Sequence, residues 1–237
     1  RLLKGKGEIP LFTSCCPAWV DYAEKNCHDL LPNISTAKSP QQMMGSMIKT
    51  YWAEKAGIDP YEFRRKHLKP GSRHLAVLDT VAKKSGWGSP LEKGVGRGIA
   101  IVESFGTIVA EVVEASMGED GRPKVHKVFA AVDCGTTVNP LNGAAQIEGG
   151  IIMGLSATIG EAITLDKGSV VQSNFNDYPI LKLAESPAGI DVHFIESDAP
   201  LGGLGEPGVP PAAPALANAL FAATGKRIRS LPIVAIS

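Results

Sequence analysis

The chain has 237 residues, 44% of them hydrophobic and 20% charged, with 24 basic and 24 acidic side chains. That balance fits a globular protein with a real core, and zero net charge gives no broad attraction to nucleic acid or to an anionic membrane surface. No apolar run is long enough for a membrane span, and four cysteines, three of them within the first 27 residues, do not make a secreted disulfide framework.

In chain order, residues 1–9 are basic and turn-like. A short apolar stretch follows, interrupted by Cys15-Cys16-Pro17. The spacing over 20–31 predicts a short helix that Pro32 ends. Ser39 and Pro40 suit the N-cap and first position of a second helix, with Met43, Met44, Met47, Ile48, Tyr51 and Trp52 as its apolar face and Gly57 as its stop. Helices are predicted over 60–67 and 75–85. The period then changes: strands are expected at 98–102 and 107–115 about a turn at Ser104-Phe105-Gly106, then at 125–132. Asn139-Pro140 opens a long Gly- and Ala-rich helix to about residue 158. Further strands are expected at 162–165, 170–172 and 190–195. A Pro/Gly loop over 200–211 leads into a helix at 212–224, capped by Gly225.

Two constellations carry chemistry. Cys15 and Cys16 are adjacent thiols before a proline, a pattern that serves either as a soft ligand beside an acid–base thiol or as a buried free pair. Their surroundings, Phe12-Thr13-Ser14-Cys15-Cys16-Pro17-Ala18-Trp19 and then Leu30 through Met43, resemble the first active-site motif of the iron-only hydrogenases. The resemblance implies that Cys16 ligates the cubane of the hydrogen cluster and that Cys15 and Ser35 lie on its proton route. Ser39, Pro40 and Gln41 would line the cluster pocket. That family holds its [4Fe-4S] cubane with four cysteines, and the later motifs that bring the other three are absent; Cys27 and Cys134 stand in unrelated surroundings. One thiolate does not hold a cubane, so no hydrogen cluster is expected.

The second constellation is Gly202-Gly203-Leu204-Gly205-Glu206-Pro207-Gly208 before a helix. Glycines let a ligand approach the backbone, and a helix N-terminus favours negative charge. Glu206 among apolar neighbours reads either as a partly desolvated base or as a solvated acid at a helix start. Val132-Asp133-Cys134-Gly135, Val138-Asn139-Pro140, Gln146 through Gly150, Asn174 through Pro179 and the Gly-Glu-Pro-Gly loop occur in order. Asp59 through Arg65 and Gly96 through Ala100 precede them. Together they resemble the molybdopterin-binding large subunit of the xanthine dehydrogenase and aldehyde oxidase superfamily, the isoquinoline 1-oxidoreductase beta-subunit type in particular.

That resemblance implies a fragment of a molybdenum hydroxylase, an enzyme that adds water-derived oxygen to an N-heterocycle or aldehyde through a molybdopterin cofactor, the cytosine dinucleotide form included. The fragment is expected to be inactive alone, and the alternatives are a non-catalytic interaction fragment or a hydrogenase-related iron–sulfur protein. Glu206 would be the catalytic base. Gln146 would contact the pterin or, alternatively, bridge core backbone groups. Gly149, Gly150 and Gly205 would admit the cofactor, and an iron–sulfur small subunit would take the electrons. The expected fold class is α+β: the C-terminal fragment of a molybdopterin-binding domain, with mixed strands and helices, preceded by a short helical hydrogenase-like fragment. The expected division is 1–57, a helical connection over 58–95, and 96–237. Ala53 through Pro60 fits both patterns, which places a join near Gly57. A chimaera of two coding sequences is one reading, a genuine fusion the other. Poor contact between residues 1–56 and the rest is expected, and so is some exposed apolar surface.

Overall fold

The computed structural model describes residues 49–233. Residues 49–55 are helical, and Gly57, at φ 64°, turns the chain out of that helix. Asp59 then caps α1 (Pro60–Lys66), its Oδ1 accepting from the amides of Tyr61 and Glu62 at 2.8 and 3.1 Å. Pro60 at the first position needs no N–H there. Ser72 caps α2 (Arg73–Lys84), whose Val77, Leu78, Val81 and Ala82 form one buried stripe at helical spacing.

Three antiparallel strands follow: β1 (Val95–Ser104), β2 (Thr107–Met117) and β3 (Pro123–Asp133). The first hairpin turns on Phe105 and Gly106, both at positive φ (53° and 78°), the twist a two-residue hairpin needs. A crossover through α3 (Pro140–Ile159) brings β6 (Ile190–Phe194) in parallel beside β3, giving the order β1-β2-β3-β6. The crossover also carries β4 (Leu165–Asp166), β5 (Ser169–Val170) and a short 3-10 turn (Leu183–Glu185). Last comes α4 (Val209–Thr224), which ends on Gly225 at φ 72°.

The sheet has a core on each face. Ile99, Ile101, Ile108, Ala110, Val112, Phe129 and Ala131 pack against α2. Ala100, Val109, Val113, Val128, Ala130 and Val132 point the other way, under α3 and α4. Alternate residues thus feed opposite cores, and central β2 is buried along most of its length. Helix α4 lies directly on β1: a Cβ on Gly96 or Gly98 would run into the backbone of Ala219 or Ala215. With Ala212, Ala215, Leu216, Ala219 and Leu220 wholly buried, α4 is an interior helix.

Three expectations need correction. The strands expected at 162–165 and 170–172 reduce to the two-residue β4 and β5 around Lys167-Gly168, because Ile163, Leu165, Val170 and Val171 remain exposed and find no layer to pack on. The last helix starts at Val209 rather than 212; Pro210 and Pro211 fit its first turn, where amides are spare. The third concerns helix 49–55. Its buried residues are Thr50 and Ala53, while Trp52 is 57% exposed. This segment is well seated. Arg64, fully buried, donates to Thr50 Oγ1 at 2.8 Å, and Arg227 pairs with Glu54 while stacking on Tyr51 and Phe221 at 5.2 and 3.8 Å. The poor contact expected for residues 1–56 therefore does not hold for 49–56.

Candidate functional site

The 202–208 loop is held at four points. The Gly202 amide donates to Cys134 O and the Gly203 amide to Phe105 O, each at 2.9 Å. Buried Thr107 donates its hydroxyl to Gly203 O at 2.7 Å, and Gln146 Nε2 donates to Gly205 O at 2.8 Å. The hairpin tip, the end of β3 and helix α3 therefore all position this one loop. Glycine is required at Gly202, where a Cβ would meet Thr107 Oγ1 and the Gly106 backbone.

Beneath it lies a polar knot. Asp133, 1% exposed at the end of β3, accepts from Arg73 Nη2 at 2.8 Å and Nε at 2.9 Å. It also accepts from the Gly135 amide at 3.0 Å and the Ser197 hydroxyl at 2.7 Å. Burial alone would push the Asp133 carboxyl up; the hydrogen bonds from Arg73, Gly135 and Ser197 outweigh it and hold the group below its ordinary value of 3.8. Arg73 also reaches Gly106 O at 3.3 Å, tying α2 to the hairpin that grips the loop. Sequence reading placed Asp133 inside a motif but missed Arg73, since no local pattern links residues 60 apart.

The predicted site residues divide. Glu206 is exposed, and its carbonyl accepts from the Val209 amide at 2.9 Å as α4 begins. The partly desolvated setting considered for it is absent, because nothing described in this chain covers the loop on that side. Gln146 is exposed, and its Nε2 donates to the exposed loop carbonyl of Gly205 rather than to a core backbone group; its Oε1 meets no donor among the described residues. Gly149 and Gly205 face open space: a Cβ at either would meet nothing within 4 Å. Gly150 does not belong with them. It is buried and faces inward, where a Cβ would make ordinary contact with Gly208 Cα at 3.4 Å; the close approach of α3 to the start of α4 depends on Gly154 and Gly208, where a Cβ would meet Val209 O and Ile147 O at 2.8 Å. Cys134 is buried beside Thr137, with Sγ to Oγ1 at 3.7 Å. Among the described residues no group of His, Cys, Asp and Glu has metal-binding geometry, and no helix is long and apolar enough to cross a membrane. Cys15, Cys16, Ser35, Ser39, Pro40 and Gln41 lie outside the described residues.

Exposed beside the loop are Gln146 and Gly149, three residues apart on α3, the Gly205 backbone and Glu206. One free amide oxygen, one carboxylate and two glycines with open space fit one side of a flat polar ligand such as a pterin.

Known proteins match the chain in two separate stretches. Residues 1–64 match the family described as "Iron only hydrogenase large subunit, C-terminal domain", and residues 80–187 match "Molybdopterin cofactor-binding domain". The isoquinoline 1-oxidoreductase subunit beta of Brevundimonas diminuta is 36% identical over 185 residues, covering 76% of this chain but 24% of the relative. Iron hydrogenase 1 of Clostridium pasteurianum is 50% identical over 58 residues, 24% of this chain and 10% of the hydrogenase. The aldehyde oxidoreductase structure from Desulfovibrio desulfuricans superposes with a TM-score of 0.66 at 14% identity, over 83% of this chain and 40% of that one, a likeness of fold. The chain thus spans a quarter or less of these two sequence relatives. By these matches residues 1–64 are similar to the iron-only hydrogenase large subunit, and residues 80–187 are similar to the molybdopterin cofactor-binding domain.

Proposed function

We propose that the described body is one wall of a molybdenum hydroxylase site, with Glu206 as its general base and Gln146 as its contact to a molybdopterin, the cytosine dinucleotide form included. The observation that carries this reading is convergence. Phe105 and Thr107 of the hairpin, Cys134 at the end of β3 and Gln146 of α3 all fasten one glycine loop and leave a single carboxylate at its exposed end. A solvated acid at a helix start needs no such fastening.

When bound, molybdopterin supplies the redox centre that accepts electrons from an N-heterocyclic or aldehyde substrate. The rest is done by this chain's groups. The tether from Val209 to the Glu206 carbonyl keeps the carboxylate beside the first turn of α4. Glu206 Oε takes up the proton released in the reaction and returns it to water. Gln146 spends its Nε2 on Gly205 and turns its Oε1 to the pterin. Gly149 and Gly205 leave the pterin edge unobstructed, and an iron–sulfur small subunit accepts the electrons. This reading gives the protein no [4Fe-4S] cluster: Cys16 alone stands at a matching ligand position, and Cys134 is enclosed with Thr137.

Molybdenum per chain, measured on the full chain purified from a host that makes the cofactor, tests this assignment. A single wall encloses little, so retention well below one equivalent is expected. Gln146→Leu should lower it several-fold, on the order of one lost hydrogen bond, while Glu206→Gln should leave it unchanged. Loss of metal in Glu206→Gln with retention in Gln146→Leu would reverse the two roles.

A further inference from the structure

We propose that Glu111 is a proton-operated latch: as the neutral acid it lets α3 and α4 close on the sheet, and on ionising it drives that helical layer open. The inference concerns the fold itself and goes beyond the cofactor reading.

Glu111 sits in the middle of β2, paired with Ala100 on one side and Ala130 on the other. Strand alternation puts it on the face of Val109 and Val113, beneath α3 and α4. It is 0% exposed, and neither of its carboxyl oxygens has a hydrogen-bond partner. Small Ala100 and Ala130 give it room without giving it a donor.

Nor does any cation face it. Helix α4 has no ionisable side chain in its 16 residues. Helix α3 contributes only Glu148, of like charge. On β1 the charged residues Arg97 and Glu103 lie on the opposite face, engaged with Glu114 and His74. On β3, Lys127 and Asp133 also lie on the opposite face, paired with Asp191 and Arg73. His126 and Lys124 lie towards the far end of β3, His126 against Ser116 and Lys124 exposed. A carboxylate here would be a buried charge with neither partner nor solvent, among the costliest arrangements in a protein. Burial accordingly pushes the carboxyl well above its ordinary value of 4.5.

The closed layer therefore keeps a proton that the opened or unfolded chain releases. Above the ordinary value of 4.5 each rise in pH favours opening, and the effect stops only above the raised value of the closed state. The proton goes to bulk water. One linked proton makes the opening constant grow by about tenfold per pH unit within that window. The layer that opens carries Gln146 and the start of α4; α2, on the other face of the sheet, is not coupled to it.

Hydrogen exchange on the full chain, corrected for the intrinsic chemical rate and followed from about pH 5 to about pH 9, reads this directly. Peptides from α3 and α4 should show an opening constant that climbs by up to about tenfold per unit, while α2 stays flat. Glu111→Gln, which keeps the shape of the neutral acid and cannot ionise, should abolish the slope. An equal slope in Glu111→Gln, or parallel opening of α2, would overturn the latch. If the variant does not fold, infrared spectroscopy of the unaltered chain decides. A protonated-carboxyl band persisting at neutral pH and fading as α4 opens supports the latch, and absence of that band at neutral pH refutes it.

Discussion

Arg73 and Asp133 show how much one pair of residues does here. The pair joins α2 to the end of β3, and through Gly106 it steadies the hairpin that holds the Glu206 loop. Because the Asp133 carboxyl is held below 3.8, its contribution to stability is present above that value and is lost as pH falls through the depressed one. Arg73→Met leaves Asp133 buried and poorly paired and should cost about 3 kcal/mol at neutral pH, measured by urea unfolding. The variant should also lose less stability on acidification than the parent. An unchanged acid limb would show that the pair is not what holds Asp133 ionised. Asp133 was visible in the sequence as part of a motif. Its partner was not, because a contact across 60 residues leaves no local signature.

At the scale of elements, the decisive contact is α4 on β1. Alanines on the helix and Gly96 and Gly98 on the strand bring two backbones together with no side chain between them. Gly98→Val puts a Cβ against the carbonyl of Ala215, so either the helix lifts or the strand bends. We expect a loss of about 1–3 kcal/mol in unfolding free energy, whereas Gly94→Val should cost less, because its Cβ has nothing within 4 Å although its φ of 85° strains it. A Gly98→Val loss near zero would mean that the helix does not bear on the strand at this point, since Gly98 carries no positive φ to strain. The helices and longer strands were legible from periodicity and caps. The 162–172 stretch was not: its apolar residues look like strands, yet no layer of the described structure covers them.

At the scale of the described molecule, helix 49–55 is held to the body by Glu54 and Arg227, together with the Tyr51 and Phe221 rings and the bond from Arg64 to Thr50. Arg227 is 18% exposed and Glu54 48%, so the pair is only partly screened. A double-mutant cycle of Glu54→Ala and Arg227→Ala should give a coupling of about 0.5–1 kcal/mol in unfolding free energy. A coupling of zero would mean the two segments meet without mutual support. The family matches cover residues 1–64 and 80–187, and helix 49–55, inside the first of them, packs on the body. The α+β character, the principal elements and the Gly-Glu-Pro-Gly loop were legible in the sequence alone, because these are written in short-range patterns, and its motifs carried the two resemblances. Only the tertiary structure decided that Gly150 packs inward while Gly149 and Gly205 stay open, that Glu206 is exposed, and that Glu111 is sealed in without a partner. Burial and pairing arise when residues far apart in the chain share a layer, and that is a property of three-dimensional packing which no local window of sequence contains.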